Sequence, residues 1–438
     1  MFQTLKNAFK TKEVRNKILM TLLLVAIYRL GSFIPVPGIN ASVTQSVVGD
    51  NTFLGIISAI TGGSLANGTL FAIGIAPYIN ASIIIQLLTI VIPSLERLSR
   101  QGDEGRKKLT KITRYFTVVL AAVQAVGILF AFKAQGVINT HLFGSGNAAV
   151  PEWIVFVFVS IVLIAGASLC MWIGERITEY GVSNGMSMLI FVGILATAGN
   201  RIIAAGKSVA ESGFSSGGWE LIGFLAMAVL IFAFIVLVDK AERRINVQYA
   251  KQIKGNKMYG GQNTTIPIRV NGSGVLPLIF AFAITSFPEL LFNTFWANQD
   301  WVVWYTVNMG TKSWVYPIAL TIFIFLFAFF YQQIQFNPVE VSKNIQNNGG
   351  FIPGIRPGQP TAEYLTKVIQ RVTFYGALFL AIIAFVPSLL FSLIGASDIG
   401  LLNAFSATGM LIVVSVALEF DKALENQLMM KYYKGFLK

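Results

Sequence analysis

Residue types that do covalent or metal chemistry are scarce here. The 438-residue chain has one His and one Cys. His141 lies in a Gly/Asn-rich stretch and reads as a solvated loop residue. Cys170 lies in an apolar run, so a disulfide or a Cys-based metal site is excluded. Neither GxxxxGK[ST] nor HExxH occurs. The carboxylates of Gly174-Glu-Arg-Ile-Thr-Glu179 have no His or Cys beside them and read as loop and helix-cap groups. The expectation is therefore no enzyme, no cofactor and no bound metal. Energy for any transport would come from a partner or a gradient.

What remains is polarity in unusual places. Pro77, Asn80 and Gln86 interrupt one long apolar run, and polar groups at such depth face other helices or a cavity. Ile75 and Ile79 share a helical face, as do Met186 and Ile190, although that spacing alone does not distinguish a pore from lipid-facing or core packing. Basic residues cluster at Arg97–Arg114, where seven fall together, and at Arg243, Arg244, Lys251, Lys254 and Lys257. Arg356 sits in Gly354-Ile-Arg-Pro-Gly358, where Pro357 and Gly358 bend the chain and project the arginine from a turn. Orientation in a membrane and lipid phosphate account for many of these charges. Loops this long and basic also suit an acidic or RNA-containing partner.

The elements that must position these residues follow from composition. Hydrophobic residues make up 55% of the chain and charged residues only 12%. So little charge cannot cover soluble domains of this size, which makes the chain a polytopic membrane protein. Met1–Lys17 is polar and basic, and no small-residue cleavage pattern follows the first apolar run, so that run reads as a retained span. Ten runs are long enough to span: Ile18–Ile34, Leu70–Ile92, Tyr115–Phe132, Trp153–Trp172, Met186–Ala205, Trp219–Val238, Val275–Phe292, Val315–Tyr331, Val372–Ile394 and Leu401–Ala417. With both termini inside, the inside segments carry 28 Lys and Arg and the outside segments 4. That asymmetry supports the span count and the orientation together. Five spans (1–205) precede the loop at 206–218 and five follow in 206–438. An odd number per half gives the halves opposite orientation, which suggests an inverted repeat.

Phe53–Ile60 is apolar but only about two helical turns long, and Thr61–Gly68 is flexible and uncharged. The segment either re-enters a central vestibule from outside, surrounded by protein, or lies along the outer leaflet. Arg29, Arg201, Glu220 and Glu289 lie toward the outer ends of their spans, leaving the midplanes without ionisable groups. This disfavours proton-coupled transporters and voltage sensors. It leaves open a passive channel or a secondary transporter for a small solute.

Five blocks, in order, resemble one family: Arg29–Ile39, Ala76–Leu88, Gly174–Glu179, Arg243–Lys251 and Phe351–Gly358 are similar to bacterial SecY, the large subunit of the Sec protein-conducting channel. The resemblance implies an all-α fold of ten transmembrane helices in two inverted five-helix halves around a central pore. It also implies a function: passage of unfolded secretory proteins across the plasma membrane, and release of membrane segments through a lateral gate that binds signal sequences. It makes Phe53–Leu65 the plug, with Phe53, Leu54, Ile56, Ile57, Ile60, Gly62 and Gly63 as its characteristic residues. It places the pore ring on Ile75, Ile79, Met186, Ile190, Ile279 and Ile412, and polar gate residues on Asn80, Gln86 and Thr285. It assigns Arg243, Arg244, Lys251, Lys254, Lys257 and Arg356 to docking of the SecA motor or the ribosome, with contact to ribosomal RNA through the basic loops. SecE and SecG are the implied membrane partners; signal peptides, nascent chains and lipid are the implied ligands. Two positions depart from the family. Met186 stands where Ile is frequent, giving a more adaptable seal. Asn246 replaces a common Pro and would loosen its turn.

Overall fold

The computed structural model describes the chain except residues 1, 51–53, 56–57, 59–60, 141–150, 213–217, 250–251, 255–256, 260–262, 273, 275, 296–298, 310–314, 394–406 and 436–438. Its helices are α1 (Phe2–Lys10), α2 (Lys12–Gly31), α3 (Ala41–Asp50), α4 (Ala76–Val91), α5 (Pro93–Arg100), α6 (Asp103–Ala134), α7 (Glu152–Tyr180), α8 (Gly185–Ser212) and α9 (Gly218–Lys240). They continue with α10 (Leu276–Phe295), α11 (Asp300–Met309), α12 (Val315–Gln335), α13 (Pro338–Asn347), α14 (Gln359–Leu393) and α15 (Ala407–Gly435). Every expected span overlaps one of these, although residues 401–406 of the tenth lie outside the described residues. Among the described residues, six helices are by themselves long and apolar enough to cross a membrane. A seventh candidate is the pair α4 and α5, bent by 106° at Ile92, where Pro93 opens the second helix.

Hydropathy misplaced several boundaries. The second span begins at Ala76, not Leu70. Residues 71–75 are buried, but Gly74 has φ +59° and Pro77 occupies the first turn of α4, so the chain enters the helix only there. The basic stretch before Tyr115 is not a loop: α5 and the first turns of α6 occupy it. Gly174–Glu179 is likewise the last turns of α7, not a loop. Both α6 and α7 run on past their apolar windows into charged sequence, because helix propensity does not end where lipid does.

A small sheet was not anticipated. Strand β1 (Glu242–Tyr249) pairs antiparallel with β4 (Asn263–Arg269), from Glu242 opposite Arg269 to Gln248 opposite Asn263. Between them lies the short pair β2 (Gln252–Lys254) and β3 (Lys257–Tyr259), and β5 (Gly350–Phe351) joins the other edge of β1. Asn246 is therefore a strand residue opposite Thr265, not a turn residue. Ile245, Val247 and Ile268 bury against Ile345 of α13 and Leu365 and Ile369 of α14. The segments 239–274 and 332–371 thus form one unit with its own apolar core.

The helix contacts define two seams. On one, α10 packs against α4 and α6; on the other, α15 packs against α2 and α8, and α9 touches α8. A large apolar cluster joins α9, α10, α12, α14 and α15, with Phe224, Ile235, Leu278, Ile324, Leu380 and Leu411 fully buried, and takes in Ile83 of α4 and Ala198 of α8.

Candidate functional site: an apolar ring, a folded-in segment and a basic face

Ile75, Met186, Ile190 and Ile412 are buried in one cluster, and Ile79 and Ile279 pack against it. Four elements supply them: the start of α4, α8, α10 and α15. Ile75 caps α4, and its carbonyl accepts from Ile79 N–H at 3.1 Å, which keeps the two side chains on one face. Met186 is placed by the start of α8. Asn184 Oδ1 accepts from Met186 N–H at 3.0 Å, and Thr178 Oγ1 accepts from Gly185 N–H at 2.8 Å. Five of the six ring candidates are β-branched and stiff.

The described residues from Leu54 to Thr69 pack into the protein. Leu54 and Leu65 are buried with Val47 and Val48 of α3, Leu129 of α6 and Val159 and Leu163 of α7. The hydroxyls here bond within the segment: Thr61 Oγ1 donates to the Ser58 carbonyl at 3.2 Å, Ser64 Oγ to Thr61 at 2.8 Å, and Thr69 Oγ1 to Ser64 at 3.1 Å. Such local bonding lets irregular backbone sit away from water. Gly62 (φ +72°) lies where a Cβ would come 3.1 Å from the Gly193 Cα on α8. Arg29 Nη1 donates to the Gly62 carbonyl at 3.5 Å, and its guanidinium lies 5.5 Å from the Phe33 ring centre. Leu54, Gly62 and Gly63 are thus placed; Phe53, Ile56, Ile57 and Ile60 lie outside the described residues.

Asn80 and Thr285 are half-buried on α4 and α10, which touch; Gln86 is exposed on α4. Thr285 Oγ1 donates to the Ala281 carbonyl one turn back at 2.8 Å. Pro288 has no N–H to offer the Ile284 carbonyl, so α10 lacks a backbone bond just beyond this point.

Arg243 and Arg244 are exposed on β1, and Arg244 Nε donates to Glu242 Oε1 at 2.7 Å. Lys254 and Lys257 fall on β2 and β3; Lys251 lies outside the described residues. Arg356 is exposed on its turn, between Gly354 (φ +82°) and Gly358 (φ +96°), and Thr361 Oγ1 donates to its carbonyl at 2.8 Å. At the base of the sheet, Asn271 Nδ2 donates to Asp239 Oδ1 at 3.0 Å. Lys422 of α15 faces the same group; its pKa is pushed down by burial first and by Arg269 next, against Asp239 and Glu242.

Residue patterns had not flagged Arg29 as a partner of the folded-in segment. The sequence shows a cation near the outer end of an apolar run, but nothing local links it to Gly62, 33 residues away.

The family model described as SecY matches residues 69–420. The chain belongs to the SecY family. Protein translocase subunit SecY of Streptomyces scabiei is 40% identical over 449 aligned residues, covering 100% of both chains. The same subunit of Halalkalibacterium halodurans is 39% identical, again over 100% of both. A solved protein-conducting channel covers 94% of this chain and 92% of its own, with TM-score 0.63 and 19% identity. Sec61 in the canine ribosome-channel complex of the endoplasmic reticulum gives TM-score 0.60, 18% identity and the same coverages. The shared fold is therefore that of the SecY and Sec61 channels. A SecY-type chain is a multi-pass, all-α membrane protein, and its role is that of a protein-conducting translocase subunit.

Proposed function

We propose that this SecY-family chain passes unfolded secretory proteins through the apolar ring of Ile75, Ile79, Met186, Ile190, Ile279 and Ile412, across a bacterial plasma membrane. The observation that carries this reading is the convergence of all six residues, from four separate helices, in one uncharged cluster. A dry aliphatic ring excludes hydrated ions and grips many side chains without choosing among them.

The residues 53–65 act as a plug on the outer side. In support, the described part is bonded locally and lies against Arg29 of α2 and Gly193 of α8. In a solved SecY at TM-score 0.63 and 19% identity, the plug domain stabilises the closed state and maintains a membrane seal. The seam of α10 against α4 and α6 is the lateral gate, with Asn80, Gln86 and Thr285 as its polar residues. A signal peptide opens it by binding the open form better than the closed one. The halves 1–205 and 206–438 move as the two leaves. Both termini and the sheet unit lie in the cytoplasm, a reading that the 28-to-4 charge asymmetry supports. There Arg243, Arg244, Lys251, Lys254, Lys257 and Arg356 dock SecA or the ribosome, the latter through its RNA, while SecE and SecG complete the complex in lipid.

The test is a stalled precursor in the assembled complex. Single cysteines at Ile79 and Ile412 should cross-link to the arrested chain, and cysteines at Leu230 and Ile322, exposed on the outside of the helices, should not. Equal cross-linking at all four positions would remove the ring from the pathway.

A further inference from the structure

We infer that Gly174 of α7 is a positioning residue for the ring, its absent side chain leaving the notch that holds the Met186 thioether back from the pore axis. This rests on the ring reading above.

Helix α7 contributes no ring residue, yet it lies directly behind α8. The two helices approach through glycine on both sides. A Cβ on Gly185 would run into the Gly174 carbonyl oxygen and come 2.7 Å from the Ile177 Cβ. A Cβ on Gly174 would run into Met186 Sδ, and would lie 2.9 Å from Met186 Cε and 3.5 Å from Leu189 Cδ1. These obstacles differ in kind. Gly185 faces backbone, which cannot yield without separating the helices. Gly174 faces the end of an unbranched side chain with freely rotating bonds. An alanine at 174 therefore displaces the methionine side chain and leaves the helices in place.

The displaced thioether turns away from α7, where Cys170, Ile173 and Ile177 are buried. On the other side, in the same cluster, it meets the ring residues Ile75, Ile79, Ile279 and Ile412. Among the six ring residues Met186 is the adjustable one, because β-branching fixes the isoleucines. Its backbone is held by Asn184 and Thr178. The free width of the ring thus depends on where the Met186 side chain rests, and Gly174 provides that resting place.

The experiment uses the complete complex in sealed vesicles with the motor, ATP and two precursors. One precursor is extended; the other carries a short disulfide-closed loop. Gly174→Ala should lose passage of the looped precursor and keep that of the extended one. Adding Met186→Val, whose side chain stops short of α7, should restore the looped precursor. Unimpaired passage of the loop in Gly174→Ala would overturn the inference. So would loss of both precursors, or a loss that Met186→Val does not restore, since either would mean Gly174 acts through helix packing. Ile79→Gly/Ile412→Gly serves as the ring control and should raise ion leak. A leak unchanged in that control would overturn the ring reading itself, separately from the role of Gly174.

Discussion

Arg29 on α2 reaches the carbonyl of Gly62 with its Nη1 at 3.5 Å, tying the first membrane helix to the segment folded in behind it. A guanidinium at the end of an apolar run is costly unless it meets an acceptor or water. This one meets a backbone oxygen and an aromatic face. Arg29→Ala should free the segment and raise the resting ion leak of reconstituted vesicles. Arg29→Lys, with its shorter reach and single charged nitrogen, should leak at an intermediate level. Wild-type leak in both variants would show that Arg29 does not hold the segment.

The neighbouring glycines separate strain from crowding. Gly62→Ala meets a left-handed φ of +72°, the Arg29 guanidinium (Nη1 at 2.5 Å) and the Gly193 backbone at 3.1 Å. Gly63→Ala has φ +84° but only the Asn67 amide nitrogen, at 3.8 Å. Left-handed backbone costs an alanine about 1–2 kcal/mol in either place. The leak measured for Gly62→Ala should therefore exceed that for Gly63→Ala. The reverse order would place the tight contact elsewhere.

Arg356 offers a test of docking that leaves the fold alone. Its side chain is exposed, and its turn is held by glycines and by Thr361, so charge reversal changes little else. Arg356→Glu should impair motor-driven transport far more than insertion of the channel into the membrane. Equal loss of both would signal misfolding.

Ile245 tests whether the sheet unit is one body. It is 4% exposed and packs with residues of α13 and α14. Ile245→Asp would bury a charge without a partner, at a cost of several kcal/mol. Limited proteolysis should then cut both 239–274 and 332–371 sooner than in wild type. Cleavage confined to 239–274 would mean the two segments fold independently.

The spans are legible because a membrane imposes a length on apolar runs. Leu70–Ile75 deceived the same reasoning: apolar composition extended the span, although Gly74 and Pro77 mark where the helix starts. The sheet has a signal too, in the alternation of buried Ile245 and Val247 with exposed Arg244 and Asn246, which the surrounding basic residues obscure. The six ring residues came from family resemblance, since their spacing alone suits lipid-facing or core positions equally well. The contacts of Arg29 with Gly62 and of Gly174 with Met186 join distant elements, and no local pattern encodes them.

The most direct measurement is ATP-dependent protection of a secretory precursor from protease in sealed vesicles. The vesicles would contain this chain with SecE and SecG, and the precursor would be added with SecA. The account predicts protection that requires ATP and disappears when this chain is omitted. Absence of protection, with the complex folded and correctly oriented, would contradict protein conduction through this chain.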